Sequence, residues 1–436
     1  MRRKDLSPRL IVLMAIFAMA SLLTATSAAA QEVRRLHTFL ANGRDGTAPT
    51  AGVIFDASGN LYSTTALGGA DNAGTVFELM PKTGGWTEKI LHSFSNKVLI
   101  DGNDPGGGLI FDSKGNLYGT TYKGGSGGCT AGGVVIGCGT VFELTLQSNG
   151  DYKEQVIYTF QARGGDGTFP VCTLIFDSVG NLYGTTQSGG PYGRGTVFEL
   201  SPTTGGTWTE KILWTFHNTD GQDPRAGLIF DSAGNLYGAT FSGGAHSSGT
   251  VYKLSPSSGG TWTETVLHSF TLGSADVANP AANLIFDSAG NLYGAASYGN
   301  LSGAGGVFEL KPSAGGTWTE KVLYFFNSNG GSDGYDSFSP LIFDASGNLY
   351  GTTTLGGTGQ CEQIGLVIGC GTIFRLTLSS SGTWTETLRY SFHFASNGEP
   401  EGPFNAGLIS DSSGKFYGTT QGGGKDSDGT VFEFKP

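Results

Sequence analysis

The phrase "LIFDSAGNLYG" at residues 284–294 is one of seven copies. The others read "VIFDASGNLYS", "LIFDSKGNLYG", "LIFDSVGNLYG", "LIFDSAGNLYG", "LIFDASGNLYG" and "LISDSSGKFYG". The Asp that closes each "FD" or "SD" falls at Asp56, Asp112, Asp177, Asp231, Asp287, Asp344 and Asp411, at intervals of 54 to 67 residues. A period of this length can be met by a four-stranded blade repeated around an axis. Each unit reads as four strands. "LIFD" is strand A and "LYGTT" strand B, joined by a tight turn whose Gly takes positive φ. "GTVFEL" is strand C and a segment such as "TWTETVLHSF" is strand D. Six copies of strand B carry a central Gly (Gly119, Gly184, Gly238, Gly294, Gly351, Gly418) and one carries Ser63. Such a Gly marks the close approach of another group, expected here from the adjacent blade.

The two ends of the array do not match. "VRRLHTF" at residues 33–39 has the form of strand D with no A, B or C before it, and the last unit stops after strand C at "GTVFEFKP". Moving one D strand to the front closes a ring and removes the free seam. The expectation is an all-β, seven-bladed β-propeller over residues 31–436, four antiparallel strands per blade, the last blade completed by the N-terminal strand. A charge rule supports it. Glu78, Glu143, Glu199 and Glu309 of strand C answer to Lys89, Gln155, Lys211 and Lys321 of strand D, whereas Lys253 and Arg375 answer to Thr265 and Thr387. Like charges directly opposed across strands repel, so each pair is read as opposed. The same count sets Arg34 opposite Glu433.

The repeat "LIFDSxGNLYGTTxxGGxxxxGTVFEL" resembles the GloVer-type tandem repeat of bacterial exported proteins, over nearly all of residues 33–436. That resemblance implies export and brings no activity with it.

Residues 1–30 read as a signal peptide: a basic start, the apolar "LIVLMAIFAMASLL", and small residues before a cleavage site near Ala30. The mature protein is expected to be secreted or periplasmic, without membrane insertion, and a monomer. Its charge is acidic, −11 for the whole chain, which argues against nucleic acid as a partner. In an exported protein, "CTAGGVVIGC" and "CEQIGLVIGC", each inserted between strands B and C, read as two local disulfides, Cys129–Cys138 and Cys361–Cys370. Cys172 stands where the other units have Ala, Gly or Ser and reads as a packed thiol.

No nucleophile–base order, metalloprotease helix or phosphate loop appears. His37, His92 and His268 occupy a strand D position that is Tyr or Trp elsewhere, so they read as packing aromatics. The Asp of "FD" reads as the acceptor of a turn. A second series, Asp45, Asp101, Asp166, Asp220, Asp276 and Asp333, stands eleven residues earlier in the loop between strand D and the next strand A. With Asp104 and Asp223 it forms an oxygen-rich set able to suit Ca²⁺; otherwise no cofactor is expected. These DA loops share a face with the BC loops. The reading that follows is a non-catalytic binding or scaffold module taking a glycan, an extracellular protein or a cation on that face. The alternative is a metal-dependent hydrolase or lyase with its metal over the central channel.

Overall fold

Alternation within each unit builds one small antiparallel sheet, and the computed structural model contains seven of them in a ring. It describes residues 32–97, 100–273, 275–299, 303–327, 332–363, 366–394, 399–404 and 406–436; the leader, residues 1–30, lies outside these. Blade 1 runs Ile54–Phe55, Leu61–Thr65, Thr75–Lys82 and Gly85–Ser93, in the order A, B, C, D from inside outward. In blade 7 the order is Ile409–Ser410, Phe416–Thr420, Thr430–Lys435 and then Glu32–Thr38. The chain therefore forms a seven-bladed β-propeller whose last blade is closed by its N-terminal strand. Among the described residues, no helix is long and apolar enough to cross a membrane.

The predicted C–D register holds in all six blades that supply their own strand D. Glu78 faces Lys89, Glu143 Gln155, Glu199 Lys211, Lys253 Thr265, Glu309 Lys321 and Arg375 Thr387. The closing strand enters in the same way. Phe39 donates its N–H to the Gly429 carbonyl at 3.1 Å, as Phe94 does to Gly74 at 3.0 Å. Arg34, five residues before Phe39, takes the position of Lys89.

That register carries no charge pairing: among the described residues none of these opposed pairs is an ion pair. Glu78, Glu143 and Glu309 accept the hydroxyls of Tyr62, Tyr118 and Tyr293 on strand B at 2.7, 2.8 and 2.7 Å. Lys89, Lys211 and Lys321 reach outward to the next blade's C–D turn and donate to the carbonyls of Gly150, Gly260 and Gly382. Glu433 pairs with Lys415 at 3.1 Å instead of with Arg34. A lysine between two sheets gains a second set of acceptors that a flat hairpin does not offer.

The strand B glycines are also explained differently from the expectation. Gly119 lies opposite Phe142 of strand C in its own blade. A Cβ there would stand 2.5 Å from Phe142 Cζ. The same holds for Gly184 with Phe198 and Gly351 with Phe374. Each strand C ring thus lies across its own strand B and meets the last Phe of the previous blade's strand D: Phe94 with Phe142 at 5.1 Å, Phe160 with Phe198 at 5.2 Å, Phe392 with Phe432 at 5.5 Å. Tyr62 meets Phe111 of the next strand A at 5.1 Å, and Tyr417 meets Phe55 at 5.0 Å. Blade 7 has Ser410 where the others have this Phe. There Tyr350 turns to Phe416 at 4.6 Å, and Phe416 stacks on Phe434.

Polar groups in this core come in pairs. Thr65 and Thr75 share a buried hydrogen bond of 2.8 Å, repeated at Thr121–Thr140, Thr186–Thr196, Thr240–Thr250, Thr353–Thr372 and Thr420–Thr430. Blade 5 has Ala296 and Gly306 opposite each other instead. Both hydroxyls are lost together, which avoids leaving one unsatisfied.

Candidate functional site

The two Asp series turn out to do different work. Asp56, at the turn of "FD", accepts the N–H groups of Ser58 and Asn60 on Oδ1, both at 2.8 Å. The Asn60 amide (2.8 Å) and Tyr62 hydroxyl (3.3 Å) lie on Oδ2. Asp177 repeats this with Val179, Asn181 and Tyr183. Burial opposes ionisation of Asp177, but the bonds from Asn181, Val179 and Tyr183 outweigh it and hold the carboxyl below its ordinary range. These turns lie on the face opposite the DA loops and are structural.

The earlier series ties each DA loop to the end of strand D. Asp45 accepts the Leu40 N–H at 3.0 Å, Asp101 those of Ser95 (2.9 Å) and Gly102 (2.7 Å), and Asp276 those of Thr271 (2.9 Å) and Val277 (2.7 Å). Tyr158 donates to Asp166 at 3.1 Å, Trp214 to Asp220 at 3.2 Å and Tyr324 to Asp333 at 2.6 Å. Asp104 and Asp223, grouped with this series as Ca²⁺ ligands, belong elsewhere. Asp104 pairs with Lys123 at 2.9 Å and Asp223 with Arg225 at 2.8 Å. Asp101 thus turns to the Ser95 N–H and His92, whereas Asp104 turns to Lys123.

Asp104 and Asp223 belong to a ring of seven equivalent residues: Ala48, Asp104, Phe169, Asp223, Asn279, Asp336 and Gly402. All have φ between 53° and 63°. For six non-glycine residues this left-handed backbone is costly and persists only where the surroundings impose it. Here they do. Each N–H bonds a carbonyl of the previous blade's BC loop, as Asp104 to Ala73 at 2.9 Å and Phe169 to Cys138 at 2.8 Å. The carbonyls accept from the residue after strand B, as Tyr122 to Asp104 at 2.9 Å and Gln187 to Phe169 at 3.1 Å. The backbone at this position is constant while the side chain differs from blade to blade. Position-specific chemistry on a repeated scaffold is what a recognition surface requires.

One of the seven, Asp104, lines a central cavity of about 480 Å³, and Arg225, the partner of Asp223, lines it as well. Its walls are the inner strands, including Gly52, Gly108 and Gly407; its rim includes Asp104, Tyr122, Gln187, Arg225, Phe338 and Phe404. Tyr122 packs on Phe169 at 5.0 Å and Phe338 on Phe404 at 5.3 Å. Arg225 is held by Asp223 and lies 4.0 Å from the Phe241 ring centroid. Rigid aromatic faces and prepaired charges thus line one opening. The signal in the sequence is the residue before the DA-loop Pro in six units, and before Ser337 in the other, which changes from unit to unit.

Cys129–Cys138 and Cys361–Cys370 are bonded as expected and flank this face; two disulfides fit an oxidising extracellular or periplasmic setting. Cys172 is free and buried. Its sulfur accepts the Thr185 N–H, and burial pushes the thiol up, consistent with packing. The histidines do pack as aromatics, His37 on Phe39 at 4.7 Å and His92 on Phe94 at 4.6 Å. Three of them also face carboxylates, in the groups His37–Asp45–Glu88, His92–Asp101–Glu154 and His268–Asp276–Glu320. The Glu members, from the "WTE" of strand D at Glu88 and Glu320 and from "YKE" at Glu154, are residues that sequence reasoning did not single out.

Several solved structures are similar to this chain. A polysaccharide lyase of family PL25, an ulvan lyase, is 14% identical with a TM-score of 0.53, over 92% of this chain and 95% of that one. A protein of unknown function from Dyadobacter fermentans is 12% identical (TM-score 0.43; 92% and 99% covered). A gluconolactonase from Xanthomonas campestris is 13% identical (TM-score 0.38; 94% and 92% covered). At such identities the likeness is one of architecture. No curated protein matches the sequence. The profile of the Gloeobacter/Verrucomicrobia repeat, in contrast, matches residues 21–209, 127–365 and 264–436, and the chain belongs to that repeat family.

Proposed function

We propose that this is an exported, non-catalytic binding module that holds a glycan chain at the DA/BC mouth of its channel. The observation that carries the reading is the rim itself, where Tyr122, Phe338 and Phe404 stand beside Asp104, Gln187 and Arg225. Aromatic faces cover the C–H faces of pyranose rings, and neighbouring carboxylate, amide and guanidinium groups bond hydroxyls. A concave site with a few fixed polar groups among apolar walls is the common form of a ligand pocket. Lys123 and Arg225 already have carboxylate partners, so the rim suits uncharged sugars over polyanions. What weighs against the metal-hydrolase alternative is that, among the described residues, the three His-and-carboxylate groups each join strand D to a DA loop and none of their members lines the central cavity.

Calorimetry of the mature protein against a panel of neutral and acidic polysaccharides tests this. Binding to a neutral polysaccharide, weakened at least tenfold by Tyr122→Ala or Phe404→Ala, is expected. Unchanged affinity in both variants would remove the mouth as the site. No binding to any polysaccharide would remove the glycan.

A further inference from the structure

Three positions recur at each junction between blades: the aromatic or His two residues before the last Phe of one strand D, the acidic residue of the DA loop, and the residue six before the last Phe of the next strand D, which is Glu at six junctions. In two junctions a Tyr hydroxyl donates to the Asp and in a third a Trp N–H does. In the junction entering blade 7 the set is Tyr390, Glu399 and Val33. The remaining three junctions place an imidazole there.

At the seam of the ring, His37 lies on the closing strand, Asp45 in the following loop and Glu88 on strand D of blade 1. His37 Nε2 is 3.7 Å from Asp45 Oδ2 and 3.5 Å from Glu88 Oε1. Both separations are too long for good hydrogen bonds. They are close to the edge of a tetrahedron around an ion that binds N and O at about 2.0–2.2 Å. A second observation points the same way. Asp45 is 94% buried, being 6% exposed, and its Oδ1 has no hydrogen-bond partner; neither has His37 Nε2 or Glu88 Oε1, both also buried. The equivalent carboxylate atoms are unpartnered at the Tyr junctions too, Asp166 Oδ1 with Glu210 Oε1 and Asp333 Oδ1 with Glu386 Oε1, so what the seam adds is a buried imidazole nitrogen left without a hydrogen bond between two carboxylates, which an ion would join. The ligands are also oriented from behind: the Leu40 N–H holds Asp45, and Phe39 packs edge-on against the imidazole.

We propose that His37, Asp45 and Glu88 bind a divalent transition-metal ion across the seam of the propeller, with His92–Asp101–Glu154 and His268–Asp276–Glu320 as repeats of the site. One nitrogen and two carboxylates suit Zn²⁺ or Co²⁺. They do not suit Ca²⁺, which takes six to eight oxygens. The His92 set has Nε2 at 3.6 Å from Asp101, and the His268 set has Nε2 at 3.3 Å from Asp276. Three protein ligands leave a fourth position for water. At the seam, the ion joins the first strand of the ring to blade 1 and so reinforces closure.

The test uses mature, chelator-treated protein titrated with Co²⁺ by visible absorption and with Zn²⁺ by calorimetry. The substitution is His37→Tyr, because Tyr is what the ring already uses at Tyr158, Tyr324 and Tyr390; a folded variant is therefore expected and is checked by its unchanged far-ultraviolet spectrum. Wild type should take three saturable equivalents, His37→Tyr two, and the triple variant with His92→Tyr and His268→Tyr none. Zn²⁺ should raise the wild-type melting temperature. An unreduced count in His37→Tyr, or no saturable binding by wild type, would overturn the assignment. Glycan affinity at the mouth should be the same with and without Zn²⁺, so the two readings fail separately.

Discussion

Phe39 and Phe77 meet edge to face, with ring centroids 5.1 Å apart and ring planes inclined at 69°. Phe39 ends the N-terminal strand that completes blade 7; Phe77 lies on strand C of blade 1. The same contact recurs at the other junctions with Phe94–Phe142, Phe160–Phe198, Phe216–Tyr252, Phe270–Phe308, Phe326–Phe374 and Phe392–Phe432. The seam of the ring is therefore built like its other six joints.

Phe39→Ala removes a fully buried ring and should cost about 3–5 kcal/mol, read as a lowered unfolding midpoint. Deletion of residues 33–39 should do more. It exposes the edge of Thr430–Lys435 and should produce concentration-dependent association in light scattering. A monomeric deletion variant with wild-type stability would contradict closure by this strand.

Gly119→Val should destabilise by about 1–3 kcal/mol through overpacking, because its Cβ meets Phe142. Gly119→Ser should be much milder. Blade 1 already has Ser63 opposite Phe77, with its hydroxyl donating to the Gly52 carbonyl at 2.9 Å. Equal losses for both substitutions would show that the ring is not what limits the site.

Peptide mapping without reductant should join Cys129 to Cys138 and Cys361 to Cys370 and leave Cys172 unmodified by alkylating reagents until the protein unfolds. Reduction should lower stability by roughly 2–3 kcal/mol per short loop in the chain-entropy estimate. Any peptide linked through Cys172 would overturn the pairing.

Three half-buried glutamates should make the ring more stable in mild acid than in mild base. Burial, then the charge of Asp166, pushes Glu210 up to about 8. Burial with Asp220 raises Glu264 to about 7, and burial with Asp333 raises Glu386 to about 7. An unfolded Glu titrates near 4.3, roughly. Each group therefore favours the fold while protonated, and that advantage is lost as pH rises through 7 to 8. The melting temperature should fall by a few degrees, roughly, from pH 5.5 to 8.5. The variant Glu210→Gln/Glu264→Gln/Glu386→Gln should flatten the slope. A wild type more stable at pH 8.5, or an undiminished slope in the variant, would refute the assignment.

Asp287→Ala should lose the N–H bonds of Ala289 and Asn291 and the contacts of the Asn291 amide and Tyr293 hydroxyl. These donors are exposed or half-buried and can turn to water, and the Tyr293 hydroxyl keeps Glu309 at 2.7 Å, so the loss should be about 0.5–1.5 kcal/mol. Thermal unfolding should show this loss without any change in polysaccharide affinity, since the turn lies on the face away from the channel mouth.

What the sequence determined by itself was everything carried by local pattern. The seven units, the four strands in each, the displaced strand 33–39, the opposed pairs such as Glu78–Lys89 and both short disulfides all follow from alternation, turn chemistry and spacing within one unit. Apart from the ring closure, which follows from the likeness of residues 33–39 to the other D strands, those contacts join residues close along the chain, so one unit contains both partners. The tertiary structure decided what happens between units. It sent Lys89 to the Gly150 carbonyl of the next blade, laid Phe142 between Gly119 and Phe94, parted Asp101 from Asp104, and set Glu88 beside His37. Those relationships depend on how one twisted sheet packs against the next, and no periodicity in a single blade records that angle.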